Sequence, residues 1–531
     1  MIFTYTSIIL KLLKKMLPQA VENYKSVWDR KVICRWMGWF AITFSICYSF
    51  FIICLWRRPV VIPILSFPFL LLVIFILQSK LYKWCNNLQL KCNISFQSKK
   101  TIWKITFFIF VLLFIYILIY GTFESPDTES QWRQVLKCSF DDWHPVMHTY
   151  SLYLIYKIVH FHFLVIIVFV ALFSHACGWL YVTMRRYGYR KKMCFIVLLL
   201  ICFSPVTLSL LRTLWKDTAF GITILYLSIY LIHLWHNGGK ELKSWQWFVF
   251  AFLLVYASFV RHNGFFFTIP ILVFLPLACF EKKAKFSIIF FSLIVFCILF
   301  TYVITCSYLK SCNIIRQRKK IQTFTESVGL PMCIMSRVMY YHPEQMPKDA
   351  HDFMLKICSE KEWKKYYHGN FNSIKNKFLN TSYSAFLTIT PKDFFNMFIR
   401  TIIASPGCSL NGFIETTLIG VDPFWCDDIS QEMYVTDKDG NGFLAKILIL
   451  KPWGWIFLAS GCIVLQMIVL GTYSFLNNGF KVLLMISPFI SYTWGTTLLL
   501  NGWDHRYFWG ILIAGIPINL LLMSSHQKIK Y

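Results

Sequence analysis

Charge is what this 531-residue chain has least of: 15% of its residues are Asp, Glu, Lys or Arg, against about a quarter in a soluble domain. Acidic residues are the scarcer kind, 25 against 53 Lys and Arg. Several catalytic signatures are missing as well. There is no Walker A loop to cradle a nucleotide, no Gly-x-Gly-x-x-Gly after a strand pattern, and no His-Glu-x-x-His run. No Cys-x-x-Cys pair or His/Cys cluster has zinc-ligand spacing. These absences leave neither a nucleotide site nor a common zinc-hydrolase site to build on. Internal repeats, low-complexity tracts and Pro-rich linkers are absent too.

What is abundant is apolar surface. The chain is 57% hydrophobic and 19% aromatic, with a mean hydropathy of +0.55. Its apolar runs reach about 18–20 residues, long enough to cross a hydrocarbon core. The fold class expected is an all-α polytopic membrane protein of about twelve helices. The expected spans are 38–56, 61–77, 102–121, 163–184, 192–210, 218–236, 246–261, 264–280, 286–306, 453–476, 482–500 and 507–523. Basic residues cluster in alternate loops: Lys80 to Lys100, Arg185 to Lys192, Lys240 and Lys243, and Lys282 to Lys285. The positive-inside rule makes that side cytoplasmic, both termini included, in a cell (inner or plasma) membrane. The same clustering argues for the lipid bilayer as partner and against nucleic acid. Arg57 and Arg58 are the one misfit, so 38–77 reads either as two spans or as a re-entrant pair. Residues 1–37 carry Lys11, Lys14 and Lys15 after an apolar stretch, without a small-residue cleavage site. They read as an interfacial cytoplasmic helix rather than a cleavable signal.

The domain plan that follows has four parts. The interfacial segment 1–37 precedes a transmembrane module at 38–306 with an external loop at 122–162; a soluble external domain at 307–450 and C-terminal helices at 451–531 complete it. The soluble region, about 145 residues, is large enough for a small folded domain. Its segments 348–366 and 391–404 look helical. Cys312, Cys333, Cys358, Cys408 and Cys426 fall there, where one or two disulfides could form. Most of the chain's 18 cysteines instead lie in apolar runs, as small hydrophobes.

The unusual polar residues all fall in external loops. Loop 122–162 holds Glu124, Asp127, Glu129, Asp141 and Asp142, one fifth of the chain's acidic residues. Clustered carboxylates raise one another's pKa or hold a cation, which suits general-base work or a divalent metal. A solvated turn with Asp142 capping the helix that follows is the plainer reading. His144 and His148, spaced i, i+4, could share a metal on a helix, with no third ligand nearby. Three short loops add cations: Arg212, Lys216 and Asp217; Arg261, His262, Asn263 and Gly264; and Asp504, His505 and Arg506. Any one of these cations could simply snorkel to the interface. Three basic loops on the side the positive-inside rule depletes need a reason, and an anionic ligand is one.

The acidic loop resembles that of GT-C-fold membrane glycosyltransferases. Asp127-Thr128-Glu129 and Trp132 are followed by Asp142-Trp143-His144-Pro145 and an apolar, aromatic helix. The pattern is similar, more closely, to a bacterial family of uncharacterised multi-pass, glycosyltransferase-like proteins. Its DWHPxxHT core matches 142–149, its WKD element Trp215-Lys216-Asp217, and its R-x-NG turn Arg261 to Gly264. These matches cover about 15 residues. The resemblance implies a GT-C-like fold, a polyprenyl-phosphate sugar donor and inverting transfer to an unknown envelope acceptor. It makes Asp127 the expected general base, with Glu129 and Asp142 in support. Lys216, Arg261 and Arg506 become candidates for the lipid phosphate, with His144, His148, Asn263 and His505 as further substrate contacts. The chain departs from the GT-C pattern in having three expected spans before the acidic loop rather than one. Its soluble region also lies between late spans.

Other readings are a transporter or flippase of lipid-linked saccharides, or a polymerase using the same donors. A transporter predicts mid-span charges and related halves with broken helices. The expected spans are nearly free of charge, and no halves repeat.

Overall fold

The computed structural model describes residues 98–240, 242–278, 282–316, 324–325, 327–366, 383–421, 460–499 and 505–524. They lie within one of the chain's two compact units, Gln78–Tyr531. The expected interfacial helix, the spans at 38–56 and 61–77, Cys426 and Asp504 lie outside these residues. Among the described residues every regular element is a helix, and the one β contact is an isolated bridge between Asp141 and Arg316.

In chain order the first elements are α1 (Ser98–Tyr120), α2 (Pro126–Lys137), α3 (Val146–Val159), α4 (His162–Arg186), α5 (Lys191–Cys202), α6 (Pro205–Leu210) and α7 (Lys216–Asn237). Then come α8 (Ser244–Val260), α9 (Phe265–Ala278), α10 (Lys282–Ser311) and α11 (Gly329–Tyr341). The next elements are α12 (Lys348–Ile357), α13 (Glu360–Tyr366), α14 (Tyr383–Leu387), α15 (Pro391–Ala404) and α16 (Pro406–Val421). The chain returns through α17 (Ser460–Asn478), α18 (Phe480–Leu499), a 3₁₀ turn at His505–Phe508 and α19 (Trp509–Ser524).

Five of these helices, α1, α4, α7, α10 and α18, are long and apolar enough to cross a membrane. α8, α9 and the stretch Arg506–Leu522 are shorter apolar helices. The expected span 192–210 is not one helix. It breaks at Phe203 and Ser204, because Pro205 cannot donate into the preceding turn and disfavours helical backbone just before it.

Burial ranks the long helices. In α7, 94% of the apolar window is buried, against 22% in α1 and 17% in α10. α7 is therefore the central post, packed against α4, α8 and α19. α1 and α10 leave Phe107, Phe108, Ile119, Phe290, Leu293 and Phe300 exposed. In water such faces would be a large apolar patch; against acyl chains they cost nothing. Close crossings use small residues, as helix contacts in lipid do. A Cβ on Gly178 of α4 would meet Ile102 O of α1 at 2.7 Å, and one on Gly221 of α7 would enter the Trp509 ring of α19.

The alternation of helices brings the C-terminal ends of α1, α8 and α10 together with the N-terminal ends of α7, α9 and α19. Arg212, just before α7, donates to Gly121 O at 2.8 Å and Tyr120 O at 2.7 Å, capping α1. Arg261 after α8 reaches Tyr492 of α18 and Tyr507 before α19. At the opposite end, Tyr187 after α4 meets His233 and His236 of α7, and Lys481 donates to Trp235 O. The basic loops 185–192 and 240–243 belong to that opposite end.

A second core joins Met332, Met335, Met339, Phe353, Phe386 and Phe394 between α11 and α15. Trp363, fully buried, donates to Met354 O at 3.1 Å and binds α13 to α12. The expected helix 348–366 is thus two helices, parted at Cys358 and Ser359. The expected disulfides do not form among the described residues: Cys312, Cys333, Cys358 and Cys408 are free thiols. Burial pushes Cys333 up to about 12, where it packs as a hydrophobe.

Candidate active site

Local sequence places each polar group at a helix end. Ser125 and Thr128 form a capping box and Pro126 takes the first helical position, so α2 begins there and carries Asp127 in its first turn. Lys216 and Asp217 open α7, whose N-cap is Trp215 and has no side-chain cap. A helix N-terminus carries partial positive charge, which favours a carboxylate in the first turn at both places. The Trp215 indole donates to Ser125 Oγ, fastening the start of α7 to the start of α2.

Asp217 is the floor of the site. Its side chain is 1% exposed, and Oδ1 lies 2.9 Å from Arg261 Nη1, itself 6% exposed. Arg261 Nη1 also donates to Tyr492 Oη at 2.5 Å and Tyr507 O at 3.1 Å. Arg506 bridges floor and mouth. Its Nε is 3.8 Å from Asp217 Oδ2 and its Nη1 is 3.7 Å from Asp127 Oδ2. The Arg506 guanidinium lies over the Trp215 ring, 4.7 Å from its centroid, and beside Tyr507 at 5.1 Å. Asp127, 37% exposed, is the solvent-facing end of this chain of charges. Lys216 joins from the side, with Nζ donating to His144 Nδ1 at 3.4 Å.

His148 sits behind this row, fully buried. The Gln131 amide donates to its Nδ1 at 2.9 Å and to Thr149 Oγ1 at 3.0 Å. Burial first, then the nearby Lys216 cation, push the ring down to about 3. It is therefore neutral at physiological pH, and a ring accepting at Nδ1 carries its proton on Nε2.

The structure gathers Asp127, Lys216, Arg261 and Arg506, each expected from sequence, and places His144 and His148 at their edge. The other expected residues have different surroundings. Glu129 is half exposed and pairs with Arg133 one turn on, at 2.8 Å. Asp142 pairs with Lys310 of α10 at 2.9 Å, and it is Asp141, through Oδ1, that accepts from Trp143 N to form the turn. Asn263 donates to Thr496 Oγ1 at 2.6 Å and ties the α8–α9 turn to α18. His505 lies in the 3₁₀ turn, and its side chain is outside the described residues. The His144/His148 pair does not share a helix, since α3 begins at Val146. No group of three or more metal-ligating side chains occurs among the described residues.

Sequence reasoning named Asp217 only as part of a loop and gave it no role. Its signal was there: an acidic residue opening an apolar helix, next to a Lys. Tyr492 and Tyr507 carried no comparable signal, because aromatics are common throughout the chain. Among the described residues three cations share two carboxylates here, one unit of positive charge in excess. Such a site can bind an anion at the Arg506–Lys216 rim and take a proton at Asp127. Compared with known proteins, the chain matches no family model, no curated protein and no solved structure.

Proposed function

We propose that the chain is a membrane glycosyltransferase that moves a sugar from a polyprenyl-phosphate donor to an acceptor hydroxyl on the non-cytoplasmic face. One observation carries this reading: a partly exposed carboxylate, Asp127, held beside Arg506 and Lys216 over a buried Asp217–Arg261 pair. That arrangement matches what transfer from a lipid phosphate needs. The end of the bundle that holds it is opposite the basic loops, which supports placing it outside the cytoplasm. Apolar faces on α1 and α10 are compatible with a lipid donor arriving through the bilayer.

In the proposed reaction Arg506 and Lys216 hold the donor phosphate and neutralise the charge it gains as it leaves. Asp127 accepts the proton of the acceptor hydroxyl as its oxygen attacks the anomeric carbon. The anomeric C–O bond to phosphate breaks with its electron pair on the phosphate, and the new glycosidic bond forms on the opposite face, inverting the centre. Asp217 and Arg261 touch neither partner; they hold Arg506 in place. The acceptor class is an envelope glycan, lipid or protein.

The experiment is transfer from a panel of polyprenyl-phosphate sugars by membranes containing the wild-type chain or Asp127→Asn. Loss of a positioned general base costs about 10²–10⁴-fold in rate, so the variant is expected to fall to that extent at unchanged membrane insertion. An Asn variant with full activity removes Asp127 as the base. The absence of transfer from every polyprenyl-phosphate sugar by the wild-type chain removes the donor class.

A further inference from the structure

A second polar cavity lies along α2, toward the C-terminal end of the helix that carries Asp127. It measures about 280 Å³ and is lined by Ser130, Arg133, Gln134, Lys137, Asp141 and Arg316, with Ser139 at its edge. That volume is near the lower end of small-molecule sites, roughly 300–1,000 Å³. Three of its walls are cations from two parts of the chain. Arg133 and Lys137 are one turn apart on α2, and Arg316 is brought over from the end of α10. The Asp141–Arg316 bridge fixes that approach: Arg316 N donates to Phe140 O at 2.9 Å, and Asp142 N to Arg316 O at 3.2 Å. Neither Lys137 nor Arg316 has a carboxylate partner among the described residues, and both are exposed.

A second observation points to a ligand. Gln134 is 92% buried (8% exposed), and its Nε2 has no hydrogen-bond partner. Its Oε1 accepts from Asp141 N at 3.0 Å, which orients the amide at the cavity wall. An unmet buried donor costs about 1–3 kcal/mol unless something meets it. The lining also mixes chemistries. A site for a bare anion would not include Asp141, whereas a polyhydroxylated ring needs acceptors and donors together. Ser130, Ser139, Gln134 and Asp141 supply these, and Lys137 and Arg316 supply a place for one negative group, Arg133 being paired with Glu129.

The cavity continues the candidate active site rather than standing apart from it. Asp127, Ser130, Gln134 and Lys137 follow i, i+3, i+7 and i+10 spacing, so they share one face of α2. Seven residues separate Asp127 from Gln134, about 10 Å along the axis.

We propose that this cavity is a binding subsite for an acidic sugar, a ring carrying one carboxylate or phosphate group, and that it holds the acceptor whose hydroxyl faces Asp127. Its assignment to the acceptor rests on the transferase reading; sugar binding itself does not.

The test titrates the purified full-length chain in detergent with glucuronate, glucose 6-phosphate, glucose and inorganic phosphate, reading binding by calorimetry. Both acidic sugars are expected to bind saturably, with glucose and inorganic phosphate at least ten-fold weaker. Lys137→Gln combined with Arg316→Gln changes two exposed side chains and leaves the fold intact. It is expected to weaken both acidic sugars at least ten-fold. Wild-type affinity in the double variant overturns the site. Glucose binding as tightly as glucuronate overturns the anionic part, and phosphate binding as tightly as the sugars overturns the sugar part. Loss of binding in the double variant with undiminished transfer to acidic acceptors overturns the acceptor assignment. If the wild-type chain transfers no sugar at all, the transferase reading fails while the binding results still decide the subsite.

Discussion

With its side chain 1% exposed, Asp217 holds the guanidinium of Arg261 at 2.9 Å and that of Arg506 at 3.8 Å. Removing one member of a buried charge pair leaves the other uncompensated, at about 3–5 kcal/mol. Asp217→Asn is therefore expected to lower thermal stability in detergent by that order. Asp217→Asn combined with Arg261→Gln should lose less than the sum of the two single changes. Strict additivity in this cycle would show that the two side chains do not act as a pair. His148 makes a prediction about pH. Its folded ring titrates near 3 and an unfolded ring near 6.5, so folding keeps it neutral. Stability from this group is fully present above about 6.5 and is lost as pH falls from there toward 3, by up to about 1.4 kcal/mol per unit. His148→Asn keeps an acceptor near Gln131 and should flatten that decline in thermal unfolding between pH 7 and 5. An unchanged slope would assign the decline to other groups.

Among the elements, α7 does most to place the site, because its first turn carries Lys216 and Asp217 while its remaining turns are enclosed. Its crossing with α19 depends on Gly221, where the Trp509 ring occupies the space of a side chain, and on Gly510, where an added Cβ would lie 3.1 Å from Gly221 Cα. Trp509 Nε1 also donates to Thr207 Oγ1 of α6 at 2.8 Å. Gly221→Val is expected to cost about 1–3 kcal/mol by overpacking and to shift the start of α19, and with it Arg506. Thermal unfolding of the detergent-solubilised chain measures the first effect. A Val variant as stable as wild type would mean that α19 can retreat freely. Helix existence was legible at this scale from apolar run length. The expected span 192–210 took no account of Pro205, which disfavours helical backbone just before it.

At the scale of the whole molecule, the loops carrying basic clusters and the loops carrying the site occupy opposite ends of the bundle. The proposed sidedness can be checked with thiols already present. Cys138 is exposed, at the end of α2. A membrane-impermeant maleimide applied to intact cells is expected to label it, and Cys138→Ser is expected to lose the label at that position while Cys312, also exposed, keeps its own. A cysteine at Lys240 should react only after permeabilisation. The reverse pattern would turn the chain over and place the candidate site in the cytoplasm.

Composition and run length were enough to indicate a helical chain with apolar helices long enough to cross a membrane, and the sign of the loop charges pointed to the loops where polar residues gather. They act locally or as sums along the chain, so no three-dimensional information is needed to read them. The partners of each charge could not be read that way. Asp142 and Asp127 look alike in sequence, yet one faces Lys310 and the other Arg506, residues 168 and 379 positions away. Which carboxylate meets which cation depends on how α1, α2, α7, α8 and α19 meet at one end. That meeting is decided by side-chain shape at crossings such as Gly221 on Trp509. Tertiary packing likewise buried Asp217 and left Asp127 open, the difference that separates a residue holding the site from one able to meet a substrate.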